Sequence, residues 1–131
     1  MKKPKIGEPC NGCGICCMNQ TCQNGSYVLR LVKNIGDYHK GRCPALVDNK
    51  NGTFSCGIIL NPKRYIKRNY PEHILKKYFK ILIGSENGCD ELLENDTKQE
   101  EENLYNIILN LKNNPEWLEL VKKAVRIIHG I

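Results

Sequence analysis

The stretch Cys10-Asn11-Gly12-Cys13-Gly14-Ile15-Cys16-Cys17 places four thiols within eight residues, with the spacing C-x2-C-x2-C-C. A two-residue spacer allows both sulfurs of a C-x2-C pair to face one centre, because the chain can reverse over about four residues. The glycines in the spacers accept positive φ, so backbone N–H groups can turn toward the sulfurs and offset their negative charge. We interpret this stretch as a metal-binding site around which the rest of the chain is organised.

The chain has 131 residues and eight cysteines, and the other four are Cys22, Cys43, Cys56 and Cys89. Its first half is poor in large apolar side chains, a deficit that cross-links usually offset. The opening residues 1–9 are polar, and no long apolar run follows. We therefore expect an extended arm without a secretory signal, no membrane span and a cytoplasmic location. Thiols in a reducing compartment stay free or bind metal, which favours metal over disulfides.

Charge is uneven along the chain, whose net value is +6. Residues 1–83 carry 15 Lys and Arg against 4 Asp and Glu, whereas residues 84–131 carry 5 against 10. A basic half is typical of nucleic-acid-binding proteins, but metal-bound thiolates are anionic and would offset much of the excess. We therefore expect another protein or a larger complex as the partner, with nucleic acid as the alternative. The basic run that would contact phosphates is Lys63, Arg64, Lys67, Arg68, Lys76, Lys77 and Lys80.

Turn and strand signals dominate the first half. Strand-forming residues predict a strand over residues 26–33. Residues 44–47 and 53–56 flank Asp48-Asn49-Lys50-Asn51-Gly52, which predicts a short hairpin with Asn-Gly at its turn. Such a hairpin would place Cys43 and Cys56 near each other at its open end.

Helix signals dominate the second half. Apolar side chains recur every three or four residues after Pro71, after Thr97 and after Asn114-Pro115, which predicts three amphipathic helices. A cap signal at Asn61-Pro62 predicts another helix start, and a loop over 85–96 would hold Cys89. The predicted fold is α+β and forms a single domain over 1–131. Its irregular, Cys-rich, metal-bound part over 10–60 contains the hairpin and packs against about three helices within 61–131.

The cysteine spacing favours an iron–sulfur cluster. A four-iron cubane presents irons at several corners, so three closely spaced thiolates can each bind a different iron. Bacterial ferredoxins use C-x2-C-x2-C followed by a further Cys with Pro after it. Cys43-Pro44 supplies such a pair at a distance in the sequence. The predicted ligands of a 4Fe–4S cluster are Cys10, Cys13, Cys16 and Cys43.

Zinc is the alternative metal. Tetrahedral zinc sites commonly take one close pair of thiols from each of two turns. The remaining cysteines could complete one or two such sites, including a binuclear one. The candidate metal ligands are then Cys10, Cys13, Cys16, Cys17, Cys22, Cys43, Cys56 and Cys89. His39 could replace a thiolate, although an exposed or packed role is the commoner one for a lone histidine.

The cysteine pattern resembles the CxxCxxCC (YkgJ-like) family of zinc- or iron-chelating proteins. The segments that carry the resemblance are Cys10–Cys17, Cys43–Leu46 and Cys56–Ile58, within residues 10–62. In that family a Cys-x-Ile-Tyr segment runs on to Arg-Pro and another Cys. This chain has Ile59, Asn61-Pro62 and Tyr65 at those positions. The resemblance implies metal binding but no particular reaction, and Cys22 or Cys89 would replace the missing ligand.

Together these patterns predict a metal-binding cysteine-cluster protein. The favoured function is electron transfer, or delivery of a cluster or metal, by an iron–sulfur centre within a protein complex. The alternative is a structural zinc module that mediates protein or nucleic-acid interaction. The sequence contains no Gly-rich phosphate loop, nucleophile elbow or Ser/His/Asp arrangement, so it names no catalytic residue. Whether the metal centre also catalyses a reaction stays open at this point.

Overall fold

The structure is a computed structural model that describes Met18, residues 20–84 and residues 97–131. These residues form an α+β fold, as predicted, with six helices and one two-stranded antiparallel sheet. The elements in chain order are α1 (Gln23–Val28), β1 (Leu46–Asp48), β2 (Phe54–Cys56), α2 (Gly57–Leu60), α3 (Pro62–Tyr65), α4 (Glu72–Ile83), α5 (Lys98–Lys112) and α6 (Pro115–His129). The predicted arm over 1–9, the motif over 10–17 and the predicted loop over 85–96 lie outside the described residues.

Helix α1 occupies part of the segment predicted as a strand over residues 26–33, and that prediction is wrong. Cys22 caps the helix, because its Sγ accepts a hydrogen bond of 3.2 Å from the backbone N–H of Gly25. The helix ends in a Schellman motif, in which Leu31 N donates to Ser26 O at 2.9 Å. Arg30 takes the left-handed position of that motif, with φ 59°. These local hydrogen bonds satisfy the backbone, so the strand propensity of the segment does not decide its structure.

The predicted β-hairpin is confirmed. Strands β1 and β2 are antiparallel, and Leu46 pairs with Cys56 while Asp48 pairs with Phe54. The turn is closed by Asn49 N, which donates to Thr53 O at 3.1 Å. Gly52 lies in this turn with φ 86°, a conformation that glycine adopts without a steric penalty. The hairpin thus has the turn that the Asn-Gly signal predicts.

The four predicted helix starts are also confirmed, although the first begins only a single turn. Helix α3 has proline at its first turn, but the side chain of Asn61 makes no capping hydrogen bond. Helices α5 and α6 have side-chain caps, because Glu100 N donates to Thr97 Oγ1 and Trp117 N donates to Asn114 Oδ1. None of the helices in the described part of the chain is long and apolar enough to cross a membrane.

The hydrophobic core lies between α4 and α6 and extends to the hairpin. Leu75 and Phe79 on α4 and Ala124 on α6 are completely buried. Burying one large apolar side chain stabilises a fold by about 1.5–3 kcal/mol. Helix α5 contributes no buried residue, and its Tyr105 is 65% exposed. The buried apolar residues of the described chain are Cys43, Ala45, Ile58, Ile66, Leu75, Tyr78, Phe79, Ile81, Ala124, Ile127 and Ile128.

Candidate metal centre

The hairpin places Cys43 and Cys56 at the same end, as the sequence predicts. Cys56 pairs with Leu46 across the two strands, and Leu46 N donates to Cys43 O at 3.1 Å. Cys43 is buried, with 6% of its surface exposed, and Cys56 is half-buried. The two cysteines are thirteen positions apart in sequence, and the strand register brings their backbones together.

A close approach of two backbones fixes this end of the hairpin. Gly57 N donates to Ala45 O at 2.7 Å. A Cβ atom at position 57 would overlap that same carbonyl oxygen, so the position admits only glycine without a shift of the backbone. Glycine at position 57, directly after Cys56, is therefore a steric requirement of the hairpin end that lies beside Cys43.

Backbone hydrogen bonds tie the segment that holds Cys22 to the segment that leads into Cys43. Gln20 pairs with Lys40 in an antiparallel bridge, and Thr21 N donates to His39 O at 3.0 Å. These contacts bring together two stretches of chain about twenty residues apart. Cys22 and Cys43 each lie within three residues of this bridge.

Two buried hydroxyls complete the connection, and sequence reasoning missed both. Thr21 and Ser26 have no exposed surface. Ser26 Oγ donates to Thr21 O at 3.1 Å and accepts from His39 N at 2.8 Å. Thr21 Oγ1 lies 3.5 Å from Gly41 O. No sequence signal marks these residues, because a lone Ser or Thr in a polar stretch is ordinarily exposed.

Helix α1 also contacts the residues that follow the hairpin. A Cβ atom at Gly25 would lie 3.0 Å from Cys22 Sγ and 3.8 Å from Cδ1 of Ile58. Ile58 follows Cys56 by two residues and is 1% exposed. The segment that carries Cys22 is therefore hydrogen-bonded to the segment that leads to Cys43, and it packs near the residues that follow Cys56.

The donor atoms in this region suit a soft metal. Thiolate sulfur is the ligand that zinc and iron–sulfur clusters share. Hydrogen bonds from backbone N–H groups to ligand sulfurs are a feature of such sites, and Cys22 Sγ already accepts one. No group of three or more His, Cys, Asp or Glu side chains within residues 20–84 and 97–131 is arranged to hold a metal ion. The predicted ligands Cys10, Cys13, Cys16, Cys17 and Cys89 lie outside the described residues.

His129 packs against neighbouring side chains, which is commoner for a lone histidine than binding a metal. Its Nε2 lies 2.9 Å from Asn24 Oδ1, and its ring contacts the ring of Tyr27 edge to face, with 5.0 Å between centroids. Burial lowers the pKa of His129 below 6.5, because the charged imidazolium loses water. His39 is tied into the fold through its backbone, whose N–H and C=O both form hydrogen bonds.

Comparison with known proteins yields no relative for this chain. No protein-family model matches it, and neither a curated protein nor a solved structure does. The resemblance to the CxxCxxCC family therefore stays a prediction from the spacing of the cysteines.

Proposed function

We propose that this chain is a metal-binding cysteine-cluster protein whose centre is an iron–sulfur cluster. The observation that carries the proposal is the linkage of three cysteine-bearing segments at one end of the fold. Cys22 lies next to the bridge between Gln20 and Lys40, Cys43 follows that bridge, and Cys56 faces the Cys43 turn across the hairpin. These pairings bring the backbones of the three segments together, and thiols on linked segments are the usual source of ligands for a metal centre.

The length of chain supports a site shared with the N-terminal motif. Cys17 precedes Gln20 by three residues. Three residues of chain span at most about 11 Å. The motif over 10–17 therefore joins the described fold beside the bridge that leads to Cys43. A cluster held by Cys10, Cys13, Cys16 and Cys43 needs this proximity.

The environment of Cys43 favours a cluster ligand over a reactive thiol. Its side chain is buried and packs within the apolar core. Exclusion of water and hydrogen bonds to sulfur are among the properties that set the potential of an iron–sulfur centre. Pro44 follows it, as in the Cys-Pro pair of bacterial ferredoxins. An electron carrier or a cluster-delivery protein uses a centre of this kind.

A protein partner fits the surface of α5. This helix has no buried residue and exposes Tyr105, Ile108 and Leu109. Apolar side chains grouped on an exposed surface are typical of protein interaction sites. We therefore infer that the chain works within a larger protein complex.

A structural zinc module is the second candidate, and the hairpin favours it. Cys43 and Cys56 come from two turns at one end of β1 and β2, the way in which tetrahedral zinc sites draw their ligands from separate turns. Cys17 and Cys22 would supply the other pair. In this reading the metal stabilises the fold and has no part in electron transfer.

Anaerobic purification followed by iron, zinc and sulfide analysis and an optical spectrum tests the proposal. We expect iron and acid-labile sulfide in equal amounts, with visible charge-transfer absorption. Cys43→Ser should abolish that absorption, whereas Ser55→Ala, on the exposed side of the same hairpin, should retain it. A colourless protein with stoichiometric zinc would overturn the iron–sulfur centre in favour of the zinc module. Cystines in a metal-free protein would overturn both.

A further inference from the structure

A basic cleft lies at the C-terminal end of α6, where this helix meets the segment between α3 and α4. Its volume is about 520 Å³, within the usual range for small-molecule sites. Three cationic side chains line it, from Arg68, Lys123 and Arg126, and Tyr70 forms part of its wall. In the described part of the chain no aspartate or glutamate lines this cleft.

Two of the three cations of the cleft make contacts that involve no acidic side chain. Arg68 Nε donates to Ile127 O at 3.4 Å, which leaves the other guanidinium N–H groups available. Lys123 Nζ lies 5.5 Å from the centre of the Tyr78 ring. The ion pairs among the described residues join Lys50 to Asp48 and Lys122 to Glu119, so none involves these three cations.

Gly130 allows Arg68 to approach the backbone. It ends α6 with φ 72°, and a Cβ atom there would lie 2.5 Å from Arg68 Nη1. Any other residue would therefore incur backbone strain and would displace the guanidinium group. The glycine leaves room for the arginine, and the hydrogen bond to Ile127 O orients it.

The C-terminal end of a helix ordinarily repels anions, because its last carbonyl groups carry partial negative charge. Two of these carbonyls are already occupied in α6. Ile127 O accepts from Arg68, and Arg126 O accepts from Gly130 N at 3.0 Å. The full charges of two arginines and a lysine at this end of the helix outweigh the partial charges of its remaining carbonyl groups.

We propose that this cleft binds the phosphate group of a small phosphorylated ligand. Planar guanidinium groups match the oxygens of phosphate and can donate to them in pairs, and Lys123 adds a point charge. A single strand of nucleic acid would need a track of cations along several phosphates, whereas these three converge on one concave site. None of the described residues that line the cleft is a cysteine, so the proposal does not rest on the proposed metal centre.

Titration of the full-length protein with inorganic pyrophosphate at low ionic strength tests the proposal, followed by amide NMR shifts and calorimetry. We expect saturable shifts at Gly130 and Ile131. Arg126→Gln should weaken binding by about tenfold or more, since charge-assisted hydrogen bonds are lost. The control Lys122→Gln makes the same charge change on α6 at a residue paired with Glu119, and it should alter the affinity by less than about twofold.

Three outcomes would overturn the proposal. One is the absence of saturable shifts, and another is equal weakening by both variants, which would indicate a diffuse charge effect. The third is tighter binding of a short thymidine oligonucleotide than of pyrophosphate with shifts at the same amides, which would assign the surface to nucleic acid. Arg126 is exposed, so Arg126→Gln should retain the wild-type circular dichroism spectrum, and this keeps a loss of binding interpretable.

Discussion

His129 Nε2 lies 2.9 Å from Asn24 Oδ1, and this contact joins residues that are 105 positions apart in the sequence. Asn24 Nδ2 donates to Leu82 O at 3.2 Å, which fixes the orientation of the amide and leaves its oxygen toward the imidazole. His129 therefore donates from Nε2 in its neutral form. The contact connects α1, which begins next to Cys22, with the ends of α4 and α6.

Stability should depend on pH through His129. Burial lowers the pKa of His129 in the folded state below the ordinary value of 6.5. Between the lowered pKa and 6.5 the unfolded chain binds more protons than the folded chain, so the free energy of unfolding falls as the pH falls through this window. Above 6.5 the full contribution of His129 is present. We expect a lower urea midpoint at pH 5.5 than at pH 7.5.

His129→Gln isolates this effect, since glutamine retains an N–H donor but does not titrate. The variant should lose part of the decrease in urea midpoint between pH 7.5 and pH 5.5. His73→Gln is the matched control, because His73 is exposed at the start of α4, and it should keep the wild-type profile. Both variants must be compared at equal metal content, since metal–thiolate binding also weakens in acid. Identical pH profiles for His129→Gln and the wild type would contradict the assignment.

Elements that rest on local signals could be predicted from the sequence. The helices that begin after Pro71, Thr97 and Asn114 have the starts predicted, because caps and proline act within one turn. The hairpin is also predicted, since Asn-Gly turns fix the register of short flanking strands. Its register then places Cys43 beside Cys56 without any knowledge of the tertiary structure.

Other features have no local signal. Tyr27 and Val28 favour a strand over residues 26–33, which overlaps the last three residues of α1. The sulfur cap from Cys22 and a non-glycine Schellman position at Arg30 favour the helix instead. The hydrogen bonds that link Ser26 to the backbone of His39 are tertiary, so they could not be predicted from either segment alone. The linkage of Cys22 to Cys43 follows from those tertiary contacts.

Ser26→Ala should destabilise the protein by about 1–3 kcal/mol, because the part-buried N–H of His39 loses its acceptor and the buried backbone oxygen of Thr21 loses a donor. Urea unfolding measures the loss. Ser55→Ala removes a hydroxyl that accepts from Asn49 at an exposed site, and should cost less than about 0.5 kcal/mol. Equal losses of stability in the two variants would show that the hydrogen bonds of Ser26 contribute no more to the free energy of unfolding than the exposed one of Ser55.

Gly57→Ala should distort the end of the hairpin that holds Cys43 and Cys56. The added methyl group would overlap Ala45 O, and relief of such overlap typically costs about 1–3 kcal/mol. We expect large amide shifts at Ala45 and Leu46 and a weaker metal affinity. Gly36→Ala is the control, because its Cβ would meet no atom within 4 Å although its φ is 96°. That variant should lose some stability through backbone strain but leave the hairpin shifts unchanged.

Removal of the proposed metal should increase the mobility of residues 20–60 and leave the helical core largely unchanged. Among the largest fully buried side chains of the described residues, the region over 20–60 contributes Thr21, Ser26 and Ile58, and of these only Ile58 is large and apolar. Leu75 and Phe79 belong to the apolar core that α4 and α6 form between them. Metal binding couples to folding where ligands come from separate segments, and structural zinc contributes about 10–16 kcal/mol in small peptides.

Amide hydrogen exchange before and after chelation measures this difference. Exchange should accelerate at Thr21, Ser26 and Leu46, whose N–H groups lie in the linked segments. The amides of α4 and α6 should keep most of their protection, because their hydrogen bonds are shielded by the core between these two helices. Ser26→Ala weakens the hydrogen bonds between these segments before any metal is removed. In this variant the exchange rates of the three amides with and without metal should therefore differ less than in the wild type. Equal exchange rates with and without metal would mean that the linked cysteine segments are stable by themselves, and the metal would then have no structural role there.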